Sequence, residues 1–153
     1  MFRRILLAGA VTAVADGLFS SILNVAAYHS TVTRLFQGVA SVLMGPEALN
    51  GGVRTAAIGV LMHCAVALWW SALFALVAMS FPPLRRLLRS RAGIVAVAAA
   101  YGPLVWVAMS LIVVPMLLHR PPTINARWWV QFVGHFPFVG LPIAWSIAAT
   151  DRF

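Results

Sequence analysis

The chain has 153 residues, of which 62% are hydrophobic and only 9% charged, with a mean hydropathy of +0.94; a soluble domain is about one quarter charged, so the composition speaks against a water-soluble fold. The formal net charge of +8 comes from 11 basic residues, all arginine, set at the ends of apolar runs instead of in one stripe with interleaved aromatics. That pattern fits lipid headgroups and membrane orientation and excludes nucleic acid as a partner. One domain is the natural count at this length. The lone Cys64 lies inside an apolar run and offers no intrachain disulfide.

The first apolar segment covers residues 5–28. Arg3 and Arg4 ahead of Ile5 to Ala15, with Ala13-Val14-Ala15 at its end, fit a secretory signal peptide that would be cleaved after residue 15. Apolar character resumes after Asp16-Gly17 and reaches Tyr28, however, which is spanning length, so an uncleaved membrane helix is expected. Thr12, Asp16, Ser20 and Asn24 follow one another at steps of four and form a polar stripe along it.

Residues 34–44, which include Gln37, are apolar but too short to cross a bilayer, and predict an interfacial or re-entrant helix. Gly45-Pro46 ends it, Gly51-Gly52 permits a tight turn into the next span, and Glu47 reads as a helix-terminal or surface carboxylate near Arg54. The second span, residues 55–80, organises the chain. Gly52, Thr55, Gly59, His63, Ala67, Ser71 and Ala75 recur at steps of three or four, which predicts a packing side of small and polar residues opposite a lipid side of Leu, Trp and Phe.

Pro82-Pro83 should end that helix, and Leu84 to Arg91, with Arg85, Arg86, Arg89 and Arg91, reads as a loop. The third span covers residues 93–118 and contains Tyr101-Gly102-Pro103, Ser110 and Pro115; each proline removes a backbone donor and is expected to distort the helix. After a polar loop, Trp128-Trp129 opens the fourth span, residues 128–149, with Gln131, Gly134, His135, Pro137, Gly140 and Pro142 inside it, before Asp151-Arg152-Phe153. Paired tryptophans suit the membrane interface. The Ala/Val/Arg vocabulary without lysine is what a GC-rich bacterial genome tends to encode.

Four spans place both termini on one side. Arg3, Arg4, Arg85, Arg86, Arg89, Arg91 and Arg152 lie there, against Arg34, Arg54, Arg120 and Arg127 on the other, so the termini are expected in the cytoplasm. His63 and His135 then sit at a similar depth, about 10 to 12 Å below the outer interface at 1.5 Å per residue, with Asp16 deeper, at about 18 Å. Ser110 falls in the same outer half. His29 and His119, at the interface, read as solvated groups.

An ionisable residue inside a bilayer is costly and calls for a named partner. Asp16 with His63 or His135 is a pair suited to relay a proton or ion. His63 and His135 on parallel helices would also suit a single haem as axial ligands. Asp16, His63 and His135 together would suit a transition metal. Against these stands a structural reading, in which the three side chains bond one another and set helix register, each such bond contributing about 0.6 to 2 kcal/mol. Motifs of soluble enzymes are absent: no P-loop, no G-x-G-x-x-G, no C-x-x-C, no H-E-x-x-H, and no serine at the centre of Gly134-His-Phe-Pro-Phe. No enzymatic activity is expected.

Asp16, Phe36-Gln-Gly-Val-Ala-Ser41, Gly45, Ala48, Gly51-Gly52, Gly59-Val-Leu-Met-His63, Tyr101-Gly102-Pro103, Met109, Val114-Pro115 and Phe138-Val-Gly140-Leu-Pro142 occur in an order that resembles small, uncharacterised four-span bacterial inner-membrane proteins of the YagU-like type. The resemblance implies an integral inner-membrane helical protein, points to Asp16, Gln37, His63 and the two glycine-proline turns, and brings no reaction with it. The expectation is therefore an all-α integral membrane four-helix bundle with a short interfacial or re-entrant helix between spans one and two. Its first functional reading is a non-catalytic component that self-associates or joins a larger membrane complex around a buried Asp/His core. A proton- or ion-linked transporter comes second and a haem- or metal-binding redox protein third. The candidate polar positions are Asp16, Asn24, Gln37, His63, Ser110 and His135, no cofactor is expected under the first reading, and the bilayer is the assured partner.

Overall fold

The computed structural model describes residues 1–148. The expected end of the fourth span at Ala149 and the terminal Asp151-Arg152-Phe153 lie outside the described residues. The chain folds as helices α1 (Phe2–Ile22), α2 (Val32–Met44), α3 (Gly52–Ser80), α4 (Pro82–Leu87), α5 (Arg91–Val107), α6 (Val114–Leu118), α7 (Ala126–His135) and α8 (Leu141–Ala148). Wider π-type turns continue α1 through Leu23–Ala27, join α5 to α6 through Ala108–Val113, and join α7 to α8 through Phe136–Gly140. Four continuous helical segments result, Phe2–Ala27, Gly52–Ser80, Arg91–Leu118 and Ala126–Ala148, each long and apolar enough to cross a bilayer.

Each segment starts two or three residues ahead of its apolar run, because helical hydrogen bonding continues past the last apolar side chain and is stopped by a cap. Ser90 Oγ accepts from the Gly93 amide at 3.0 Å, and Asn125 Oδ1 accepts from the Trp128 amide at 3.1 Å. Thr31 Oγ1 does the same for α2 through the Arg34 amide, also at 3.0 Å.

One expected loop is a helix. Pro82 and Pro83 do end α3, at Phe81, but they also occupy the first turn of α4. A proline there loses nothing, since first-turn amides have no intrahelical acceptor, and its fixed φ already suits the helix. The prolines inside the spans act differently. Pro103 lies within α5, whereas Pro115 follows one π-type turn and Pro137 sits in another. Missing donors and widened turns thus occur together in the third and fourth spans.

α3 presents the two faces its periodicity predicts. Thr55, Gly59, Ala67, Ser71 and Ala75 are buried, while Val53, Leu61, Trp69 and Leu76 stand exposed on the other side. Close approach follows from the small residues. The Phe36 carbonyl of α2 packs on Gly59, and the His135 carbonyl and Gly140 amide of the fourth span pack on Gly102 of α5. Gln37 is buried and donates to the Gly52 carbonyl at 3.1 Å, which pins α2 to the start of α3. α2 also reaches α6, so it fills the angle between the second and third spans.

The main apolar core lies toward the end that carries Phe2 and α4, the proximal end. Ala8, Ala75, Ala78, Ile94, Ala98, Ile143, Ala144 and Ile147 meet there with almost no exposed surface. Tyr101 closes its upper edge, its ring against Phe74 and its hydroxyl donating to the Trp70 carbonyl at 2.7 Å. That bond ties α5 to α3, so Tyr101→Phe should lower stability by about 1 kcal/mol. Unfolding of the detergent-solubilised protein checks this, and an unchanged midpoint would show that the hydroxyl makes no net contribution.

Candidate functional site

Beyond Tyr101, toward the distal end, small residues give way to large, widely spaced ones, and the bundle opens into a cavity of about 390 Å³ between α1, α2, α3, α6 and α7. Three of these helices, α1, α3 and α7, contribute polar groups, each for a local reason, whereas α2 and α6 contribute only apolar side chains. The stripe on α1 turns Asp16 and Ser20 inward. α3 supplies His63 from its packing face. Gln131 and His135, four residues apart on α7, share one side of that helix and both line the cavity. Trp106 of α5 stands between them and α3. A smaller chamber of about 90 Å³ continues downward beside Thr12, Asp16, His63, Trp70, Trp106 and His135. A vestibule of about 390 Å³ leads upward past Gln131 to Asn24, Ser110, Asn125 and Arg127.

The hydrogen bonds define the chemistry of the two imidazoles. His63 Nε2 lies 3.0 Å from the Ala13 carbonyl and His135 Nδ1 lies 2.8 Å from the Gln131 carbonyl. A carbonyl can only accept, so these nitrogens carry hydrogens, and in the neutral rings the lone pairs fall on His63 Nδ1 and His135 Nε2. His63 Nδ1 is 4.0 Å from Asp16 Oδ2, too far for a hydrogen bond. Two lone-pair atoms facing each other at that distance are drawn together by a proton on either one. The Trp106 ring lies against His135 with centroids 4.8 Å apart, and the Phe36 ring meets His63 edge-on at 5.9 Å.

Among the described residues, several buried polar atoms on these walls have no hydrogen-bond partner: Thr12 Oγ1, Asp16 Oδ1, Trp70 Nε1, Trp106 Nε1 and Gln131 Oε1. Thr12 is 98% buried. Each such atom costs about 1 to 3 kcal/mol, and donors and acceptors are both represented. Gln131 spends only its amide, donating to Ser20 Oγ at 3.2 Å.

The structure thus brings Asp16, His63 and His135 onto one cavity without bonding them to one another. Among the described residues no set of three His, Cys, Asp or Glu side chains is placed to hold a metal ion. Asn24 and Ser110 stand further out, in the vestibule, where Ser110 Oγ donates to the Trp106 carbonyl at 2.6 Å and accepts from the Trp128 indole at 2.9 Å. Gln37 is a fastening of α2 and does not line the cavity. His29 and His119 are exposed, both with left-handed backbones at helix ends. Sequence reasoning passed over Gln131 and Trp106 as site residues. The spacing of Gln131 four before His135 was a usable signal, whereas nothing in the sequence marks Trp106 among six tryptophans.

Fold and hydropathy together define an all-α, multi-pass membrane protein with a largely apolar cavity among its helices that a few polar side chains line. Compared with protein-family models, curated proteins and solved structures, the chain has no match.

Proposed function

We propose that this is a proton-linked transport protein of the bacterial inner membrane, non-enzymatic, with both termini cytoplasmic, in which Asp16 and His63 exchange protons at the cavity wall and His135 accepts them from the opposite side. The observation that carries this reading is the convergence of buried polar atoms that lack a partner among the described residues on one cavity that Asp16 also lines. Groups that merely set helix register satisfy one another. Asp16, His63 and His135 do not, which gives the purely structural core, and with it the accessory-subunit reading, less support. The widened turns at 108–113 and 136–140 border the site and supply backbone that tolerates rearrangement. Arginine counts support the orientation, and the resemblance to YagU-like proteins supports the inner membrane.

The test is proton uptake into pyranine-loaded proteoliposomes under an imposed inward pH gradient, with and without inorganic and permanently charged organic cations trapped inside. Protein-dependent uptake that Asp16→Asn removes is the expected result, and no uptake above empty vesicles with the parent protein would end the proposal.

A further inference from the structure

We infer that the species exchanged for the proton at Asp16 is a lipophilic monocation, an organic amine or quaternary ammonium with an alkyl or aromatic body, which reaches the cavity sideways from the bilayer between α2 and α6. This inference rests on the proton-linked reading above and names the substrate class of that same site.

Charge comes first. Among the described residues, Asp16 from α1, His63 from α3 and His135 from α7 are the titratable groups on the cavity wall, and no arginine lines it. Asp16 Oδ1 has no hydrogen-bond partner among the described residues, so an ionised Asp16 would leave the cavity with an uncompensated negative charge. A carboxylate removed from water needs a proton or a cation beside it. Arg127 stays in the vestibule, with its guanidinium 4.0 Å from the centroid of the Tyr28 ring.

The remaining wall decides what sort of cation. Leu35, Val39, Met62, Val66 and Val113 line the same cavity as Asp16, so a hydrated inorganic ion would have to exchange its water for hydrocarbon, whereas an organic cation brings its own apolar surface. Phe36 and Trp106 add aromatic faces of the kind that attract quaternary ammonium groups. A volume of about 390 Å³ is within the range of small-molecule cavities. The route is visible in two residues that belong to both the cavity and the outer surface: Leu43 on α2 is 65% exposed and Leu117 on α6 is 47% exposed. An amphiphile already concentrated in the bilayer meets the cavity there without crossing the polar vestibule.

Ethidium, a permanent cation, and anilinonaphthalene sulfonate, an anion of comparable size, serve as fluorescent probes with the protein in phosphatidylcholine nanodiscs. Saturable ethidium binding is expected, weakened about tenfold or more by Asp16→Asn and by the cavity-filling Val66→Trp, and retained in Asp16→Glu. Ethidium should also be released as the pH is lowered, because each proton bound at the cavity wall, on Asp16, His63 or His135, opposes a bound cation. That profile, read on the parent protein, stands even if a variant does not fold. Preference for the anion, a flat pH profile, or equal ethidium binding in the parent and Asp16→Asn would overturn the inference. If ethidium is indifferent while Asp16→Asn still removes proton uptake, only the cation assignment falls. If both are indifferent, the proton-linked reading falls with it.

Discussion

Gly102→Ala is expected to destabilise the bundle by about 3 kcal/mol or more, at the top of the range for overpacking a core. A Cβ at this position would overlap the His135 carbonyl and lie 3.0 Å from the Gly140 amide nitrogen. Both obstacles are backbone, so neither can rotate away, and the third and fourth spans would have to separate where Gly140 in turn rests on the Ala98 carbonyl. Separation there also shifts His135, which sits at the start of the same turn. Gly38→Ala is the matched control. It lies in the interior of α2 with nothing within 4 Å of its added carbon, and should be neutral or stabilising by about 0.5 to 1 kcal/mol, the usual difference between glycine and alanine in a helix. Unfolding of both variants in the same detergent checks the pair. Gly102→Ala within experimental error of the parent would mean that these two spans do not meet at Gly102.

Asp16→Asn is expected to slow proton uptake by about tenfold or more, on the scale of losing a proton-transferring group. The amide keeps the size and shape of the carboxylate and remains polar, so packing around His63 and Trp106 is preserved, but it does not take up or release a proton. The isosteric change is more informative than removing His63. That ring also donates to the Ala13 carbonyl and packs on Phe36, so its loss would loosen α1, α2 and α3 together. A helical spectrum and thermal midpoint equal to those of the parent establish that Asp16→Asn folds. Uptake that is then unchanged would rule out Asp16 as the proton-bearing group.

Much of the architecture was legible because the bilayer imposes it. A run of about 20 apolar residues has one way to satisfy its backbone in hydrocarbon, and the four helices lie where the four runs lie. The steps of three and four from Thr55 to Ala75 correctly separated the packing face of α3 from its exposed face, since a single helix converts spacing directly into angle. Gly52, expected on the packing face, is instead exposed at the helix start, where nothing packs on it. The stripe from Thr12 to Asn24 marked the cavity side of α1 for the same reason. α4 was read as a loop because prolines stop a helix more visibly than they start one.

What the sequence by itself determined is the set of helices and, for α1 and α3, which side of each turns inward. Tertiary structure alone decided which inward sides meet. Spacing fixes angles within a helix, and counting from the span ends gives an expected depth, but neither gives the rotation of a neighbouring helix, which follows from backbone contacts such as Gly59 on Phe36 and Gly102 on His135. Those contacts bring Asp16, His63 and His135 to one cavity. They also place Trp106 and Gln131 beside them, assign Ser110 to Trp128, and leave Gln37 outside as the fastening of α2.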